Sequence, residues 1–127
     1  MYDGDDNDSG TAHPWALCTA NFAELCYNLA AAVVRDRRVP YSSESADFFA
    51  QVGGSERTAP ADIARQLVNA GDAMLEAVIY HSDHLELSEQ FDATTGFEKS
   101  VRNLTWSYAA FLSAVRARTA AASAAST

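Results

Sequence analysis

The sequence predicts an all-α fold. Apolar residues recur at three- and four-residue spacing over two long stretches, near residues 15–33 and 63–78. Prolines fall at the edges of these stretches, at Pro14, Pro40 and Pro60. No strand is convincing, because the β-prone run AVIY at 77–80 lies inside helical periodicity and no Asn-Gly or Asp-Gly turn separates two alternating runs.

The first helix is read from Pro14 at its first turn. Trp15, Cys18, Phe22, Leu25, Leu29 and Val33 form its apolar face, with Asn21, Glu24, Asn28 and Arg35 on another. The basic cluster 35–38, then Val39 and Pro40, ends it where the helix dipole favours cations. Residues 42–45 are placed to cap a short helix carrying Phe48, Phe49 and Val52, stopped by Gly53 and Gly54. Thr58 and Pro60 open a second long helix with Ile63, Leu67, Ala70, Met74 and Val78 in one stripe, widened by Val68, Leu75 and Ile79. Residues 81–100 are polar and weakly periodic. Asn103 begins a last helix with Leu104, Tyr108, Phe111, Leu112 and Val115 inward, and Arg116 and Arg118 near its end. Residues 119–127 are an Ala/Ser-rich tail expected to be disordered.

Composition narrows the function. Over 127 residues, 48% hydrophobic and 20% charged is the balance of a chain that builds one core. Nine Lys and Arg against 17 Asp and Glu give a net charge of −8, so neither nucleic acid nor an anionic membrane surface is an expected partner. The longest unbroken apolar run, residues 29–34, is far short of the roughly 20 residues that cross a bilayer, so no spanning helix is expected. Met1 leads straight into MYDGDDNDSG without a secretion-signal pattern. Cys18 and Cys26 are too few for a disulfide scaffold or a four-ligand zinc site and read as small buried apolar residues.

Two acidic clusters invite a metal reading. Asp5, Asn7 and Ser9 alternate ahead of Gly10 as in a calcium loop, but Ala16 stands where the twelfth-position Glu is needed. His81, Asp83, His84 and Glu86 gather near a helix end without an evident ligand from a second helix. Both are read as solvated polar residues, and no metal or cofactor is expected.

More specific are two segments, HPWALCT at 13–19 and LSEQFDATTGFEKSVRNLTWSYAAF at 87–111. They resemble the C-terminal part of the glucoamylases of glycoside hydrolase family 15. That family has an Asn-Pro-Trp helix start with Cys three residues after the Trp, a Ser-Glu-Gln turn, then a Leu-Thr-Trp-Ser-Tyr-Ala-Ala helix start. His13, Phe91 and Asn103 depart from its usual Asn, Tyr and Asp. The resemblance covers residues 2 to about 118, read as a partial catalytic domain.

The resemblance implies the C-terminal portion of an (α/α)6 barrel. It also implies an inverting, exo-acting enzyme that releases glucose from non-reducing ends of α-1,4-glucans such as starch and maltooligosaccharides. Inversion uses one carboxyl group as acid and another as base. Glu89 matches the family's general base, Gln90 a position beside bound glucose, and Trp15 an indole that packs on a sugar ring. Trp106 and Tyr108 are expected to anchor the motif loop structurally. The family's general acid and its Arg-Tyr-Pro-Glu-Asp segment belong to earlier parts of the chain, so residues 1–127 read as a fragment not expected to be active alone. The alternative is a non-enzymatic helical remnant that binds sugar weakly or self-associates through uncovered helix faces.

Overall fold

The computed structural model describes residues 12–125. Four helices run in the order α1 (Ala16–Asp36), α2 (Ala46–Gln51), α3 (Pro60–His81) and α4 (Thr105–Ala125). A two-stranded antiparallel ladder, β1 (Gln90–Phe91) with β2 (Glu98–Lys99), lies between α3 and α4. Each strand has only two residues, too few for alternation to show in sequence, so the expectation of no strand is corrected here. Its turn is built by Asp92, whose Oδ1 accepts from Thr94 N–H, Thr95 N–H and the Thr95 hydroxyl.

The middle helix is α1, which packs on α3 along one side and on α4 along the other. By length and composition alone it is long and apolar enough to cross a membrane, although its longest unbroken apolar run is residues 29–34. Here it is the central core helix. One core cluster joins Ala20, Ala23 and Tyr27 of α1 to Leu75 of α3 and to Ala110, Ala114, Ala117 and Ala121 of α4. A second joins Cys26, Ala30 and Val33 to Phe49, Ile63, Ala64 and Leu67. Stacking of Tyr41 on Phe49, with centroids 5.7 Å apart, fastens α2 to this end.

Those alanines overturn the expected faces of two helices. On α1 the residues expected inward include Cys18, Phe22 and Leu25, all of which are exposed. On α4 Leu112 is 61% exposed and Val115 38%, while the alanine stripe is buried. The cause is geometric: interaxial distance is set by the side chains at the contact, and alanine permits the closest approach. Large apolar residues are therefore displaced to the outer flanks. On α3 the expected stripe does face inward at Ile63, Leu67, Leu75 and Val78, but Ile79 is exposed.

Helix ends also differ from expectation. Trp15 occupies the N-cap of α1, placing Pro14 just before the helix, and Arg37 closes it in the left-handed conformation. Asn103, expected to start α4, is itself left-handed at φ +54°. Downstream, α4 runs through residue 119 to Ala125 where a disordered tail was expected. Alanine has the highest helix propensity, and Ala121 is packed in the core at 3% exposure. Arg118 consequently lies within the helix instead of at its end. Its guanidinium grips Asp72 of α3 with two bonds of 2.7 and 2.8 Å, and Tyr27 donates to the same carboxylate at 2.7 Å. This bidentate clamp ties all three long helices together.

Candidate active site

Five consecutive residues, Leu87 to Phe91, are almost completely buried, although they form a loop and contain Ser88, Glu89 and Gln90. Buried backbone must find partners, and three parts of the chain supply them. From the start of α1, Ala16 N–H donates to Glu89 C=O at 3.2 Å, and Pro14 C=O accepts from Phe91 N–H at 2.9 Å. The returning chain accepts Glu89 N–H at Val101 C=O, 2.8 Å, and Leu104 N–H donates to Leu87 C=O. Around α4, the buried Ser107 hydroxyl donates to Ser88 C=O at 2.9 Å, and the Tyr108 hydroxyl accepts from Leu87 N–H at 3.0 Å. Tyr108 then donates to Asn103 Oδ1, so it anchors the loop as its motif position suggested.

Glu89 is 3% exposed, and its Oε2 accepts a 2.6 Å hydrogen bond from the Ser100 hydroxyl. Ser100 is left-handed, at φ +68°. A non-glycine residue in that region costs of order 1 kcal/mol, so the surrounding pairing must hold it there. Glu98 in β2 takes Ser88 N–H on its Oε1 at 3.2 Å, next to the glutamate. Gln90 is 1% exposed, pairs with Lys99 in the ladder, and forms an isolated bridge with Trp15. All three sequence-predicted site residues, Trp15, Glu89 and Gln90, thus meet on one short stretch of paired backbone.

Sequence reasoning missed two neighbours. Ser100 reaches Glu89 only because the Asp92 turn folds the chain back, which no local pattern announces. Trp106 was expected to anchor the loop, yet it is 46% exposed with its ring 6.1 Å from that of Trp15, tilted by 44°. Two indoles from the starts of different helices therefore form one aromatic surface. The Trp106 position in the helix-start motif was the available signal.

The metal readings gain no support from this geometry. His81 Nδ1 meets Gly96 C=O at 3.0 Å and His84 Nδ1 meets Asp83 Oδ1 at 2.5 Å, so the imidazoles face different partners. Among the described residues no three His, Cys, Asp or Glu side chains are grouped to hold a metal ion. Asp5, Asn7, Ser9 and Gly10 lie outside the described residues.

Fold and loop together define a class: the C-terminal portion of an (α/α)6 barrel, with a buried glutamate carried between its helices. Residues 2–116 match the family described as Glycosyl hydrolases family 15, and the chain belongs to that family. It is 30% identical over 130 residues to "Glucoamylase 1" of Rhizopus oryzae, covering 94% of this chain and 21% of that protein. Against the "Probable glucoamylase" of Schizosaccharomyces pombe it is 32% identical, covering 94% and 27%. Among solved structures, the glucoamylase of Hormoconis resinae superposes with a TM-score of 0.72 at 27% identity, over 84% of this chain and 20% of that one. The family 15 glucoamylase of Hypocrea jecorina gives 0.67 at 29%, over 84% and 19%. The chain thus spans about a fifth to a quarter of the length of these relatives.

Proposed function

We propose that this chain carries the general base of an inverting, exo-acting glucoamylase reaction on starch-like α-1,4-glucans, with Glu89 as that base. The supporting observation is the Ser100 hydrogen bond of 2.6 Å to a glutamate whose backbone is fixed on both sides. A base must be held in one orientation to take a proton from water as that water attacks the anomeric carbon. Trp15, with Trp106 beside it, offers an apolar face for a sugar ring, and Gln90 lies next to the base. The second carboxyl group, the acid that protonates the departing oxygen, is assigned to a segment outside residues 1–118, which form part of the catalytic domain.

A substrate that does not need the acid tests this reading. In α-glucosyl fluoride the carbon–fluorine bond breaks with its electron pair leaving on fluoride, while the water that attacks gives its proton to Glu89. The purified chain should release β-glucose from it, and Glu89→Gln should lose about 10²- to 10⁴-fold. Maltotriose, whose leaving oxygen needs protonation, should be turned over far more slowly. Equal rates for both proteins or an α-anomer product would sink the proposal, whereas no hydrolysis by either is the inactivity expected of a fragment without the family's Arg-containing segment.

One observation favours a second reading, a non-enzymatic remnant that self-associates. Phe22 and Leu25 on α1, with Leu112 and Val115 on α4, leave large apolar side chains in solvent.

A further inference from the structure

Residues 103–105, Asn-Leu-Thr, have the Asn-x-Thr pattern that accepts an N-linked glycan, with no proline between. The threonine belongs to the Leu-Thr-Trp motif, so the triplet exists because Asn103 stands where the family usually has Asp. A second triplet, Asn7-Asp8-Ser9, lies outside the described residues.

The fold puts residues 103–105 at the surface. Asn103 and Thr105 are both exposed, on either side of a half-buried Leu104 at the start of α4. Asn103 is left-handed, at φ +54°, a conformation that Asn and Asp both tolerate. Backbone geometry therefore does not demand the amide in place of the acid. Two unlike partners orient it: Oδ1 accepts from the Tyr108 hydroxyl, and Nδ2 donates to Glu86 Oε2 at 3.3 Å. An ionised carboxylate only accepts, so Nδ2 is the atom that faces Glu86. That bond uses one Nδ2 hydrogen, and the other has no partner among the described residues.

Glycosylation replaces one of those hydrogens and spares Oδ1. The modified amide can keep Tyr108, whose hydroxyl also holds Leu87 N–H at 3.0 Å, and can keep one N–H for Glu86. We propose that Asn103 is an N-linked glycan acceptor, which carries a surface sugar chain beside the glutamate loop and leaves that loop undisturbed. The donor is a lipid pyrophosphate oligosaccharide. Nδ2 forms a bond to sugar C1, the C1–O bond breaks with its electron pair leaving on the pyrophosphate, and one Nδ2 proton passes to the transferase. In the folded chain Leu104 N–H is taken by Leu87 C=O at 3.1 Å, so transfer precedes closure of the loop. Glu89 plays no part in this modification, which stands or falls apart from the function proposed above.

The test is translation of the full chain, behind a cleavable secretion signal, into eukaryotic microsomes that hold the transferase and its donor. An Asn7→Gln background leaves residues 103–105 as the remaining acceptor triplet. Signal cleavage marks the chains that reached the lumen. Most of these should carry a glycan on Asn103, read by peptide mass spectrometry before and after enzymatic release. Thr105→Ser should keep the glycan, while Thr105→Ala and Asn103→Asp, the latter restoring the residue usual in the family, should abolish it. The glycosylated chain should keep the melting temperature of the unmodified one. Cleaved chains without a glycan on Asn103, or a glycan retained in Thr105→Ala, would overturn the acceptor. Amide exchange at residues 87–91 about tenfold faster in the glycosylated chain would overturn the claim that the sugar leaves the loop undisturbed.

Discussion

The ring of Tyr27 lies against the backbone of Gly71, so close that a Cβ built on that glycine would stand 2.7 Å from two of the ring atoms. Here α1 and α3 are in close contact, and Tyr27 is fully buried. Gly71→Ala would gain about 1 kcal/mol of helix propensity. Against that stands the displacement of a packed aromatic ring, of order 1–3 kcal/mol. Net destabilisation is expected, read as a lower urea midpoint with an unchanged slope, and a raised midpoint would show that the ring can move aside freely.

Asp72 should make the fold sensitive to acid. The Arg118 guanidinium, helped by the Tyr27 hydroxyl and opposed by partial desolvation, holds its carboxyl below the ordinary carboxylate range. The unfolded chain, with Asp near 3.9, therefore takes the proton first. This contribution is complete above about pH 4 and is lost as pH falls through the lower folded value. Because the Arg118 side chain is 51% exposed, its size is about 1 kcal/mol or less. Tyr27 supplies the opposite limb: burial, then Asp72, raise its pKa, so its share is present below about pH 10 and is lost above it. Melting temperatures across pH 2–11 should fall at both ends, and Asp72→Asn should flatten the acid limb.

Ser107→Ala should loosen the glutamate loop without unfolding the bundle. It deletes the Ser107 hydroxyl that donates to Ser88 C=O, in a place where both residues are fully buried. A buried carbonyl left without a partner costs about 1–3 kcal/mol. Amide hydrogen exchange at residues 87–91 should accelerate by one to two orders of magnitude, while α1 and α3 keep their protection.

Glutamates at two outer positions, Leu112→Glu and Leu25→Glu, test the self-association reading. Neither side chain is buried, at 61% and 50% exposure, so stability should change by less than about 0.5 kcal/mol. If the wild-type chain associates through these faces, sedimentation should show the double variant as smaller; an unchanged mass would remove the faces from consideration.

Much of this was legible in the sequence, for reasons that can be named. Pro60 at the first position of α3 and the stripe Ile63, Leu67, Val78 obey rules of local chemistry, so element and face were both readable. The Ser-Glu-Gln and Pro-Trp motifs pointed to the loop and its neighbour on α1. The inner faces of α1 and α4 were not readable, because a contact made by alanines gives no hydrophobic signal against a background of larger Phe22, Leu25 and Leu112 side chains. Ser100 was hidden for a different cause: its link to Glu89 is tertiary, created by a hairpin whose strands are two residues long.

The two cysteines, expected to be alike, differ. Cys18 is exposed on the first turn of α1, whereas Cys26 is buried and its thiol pKa is raised by that burial. Since alkylating reagents attack the thiolate, a folded chain should take up one maleimide quickly and the second only on opening. Label stoichiometry, read by mass spectrometry, thus becomes a gauge of folding in crude mixtures. The same reaction places a fluorophore beside Trp15, a reporter of whatever settles on the indole surface.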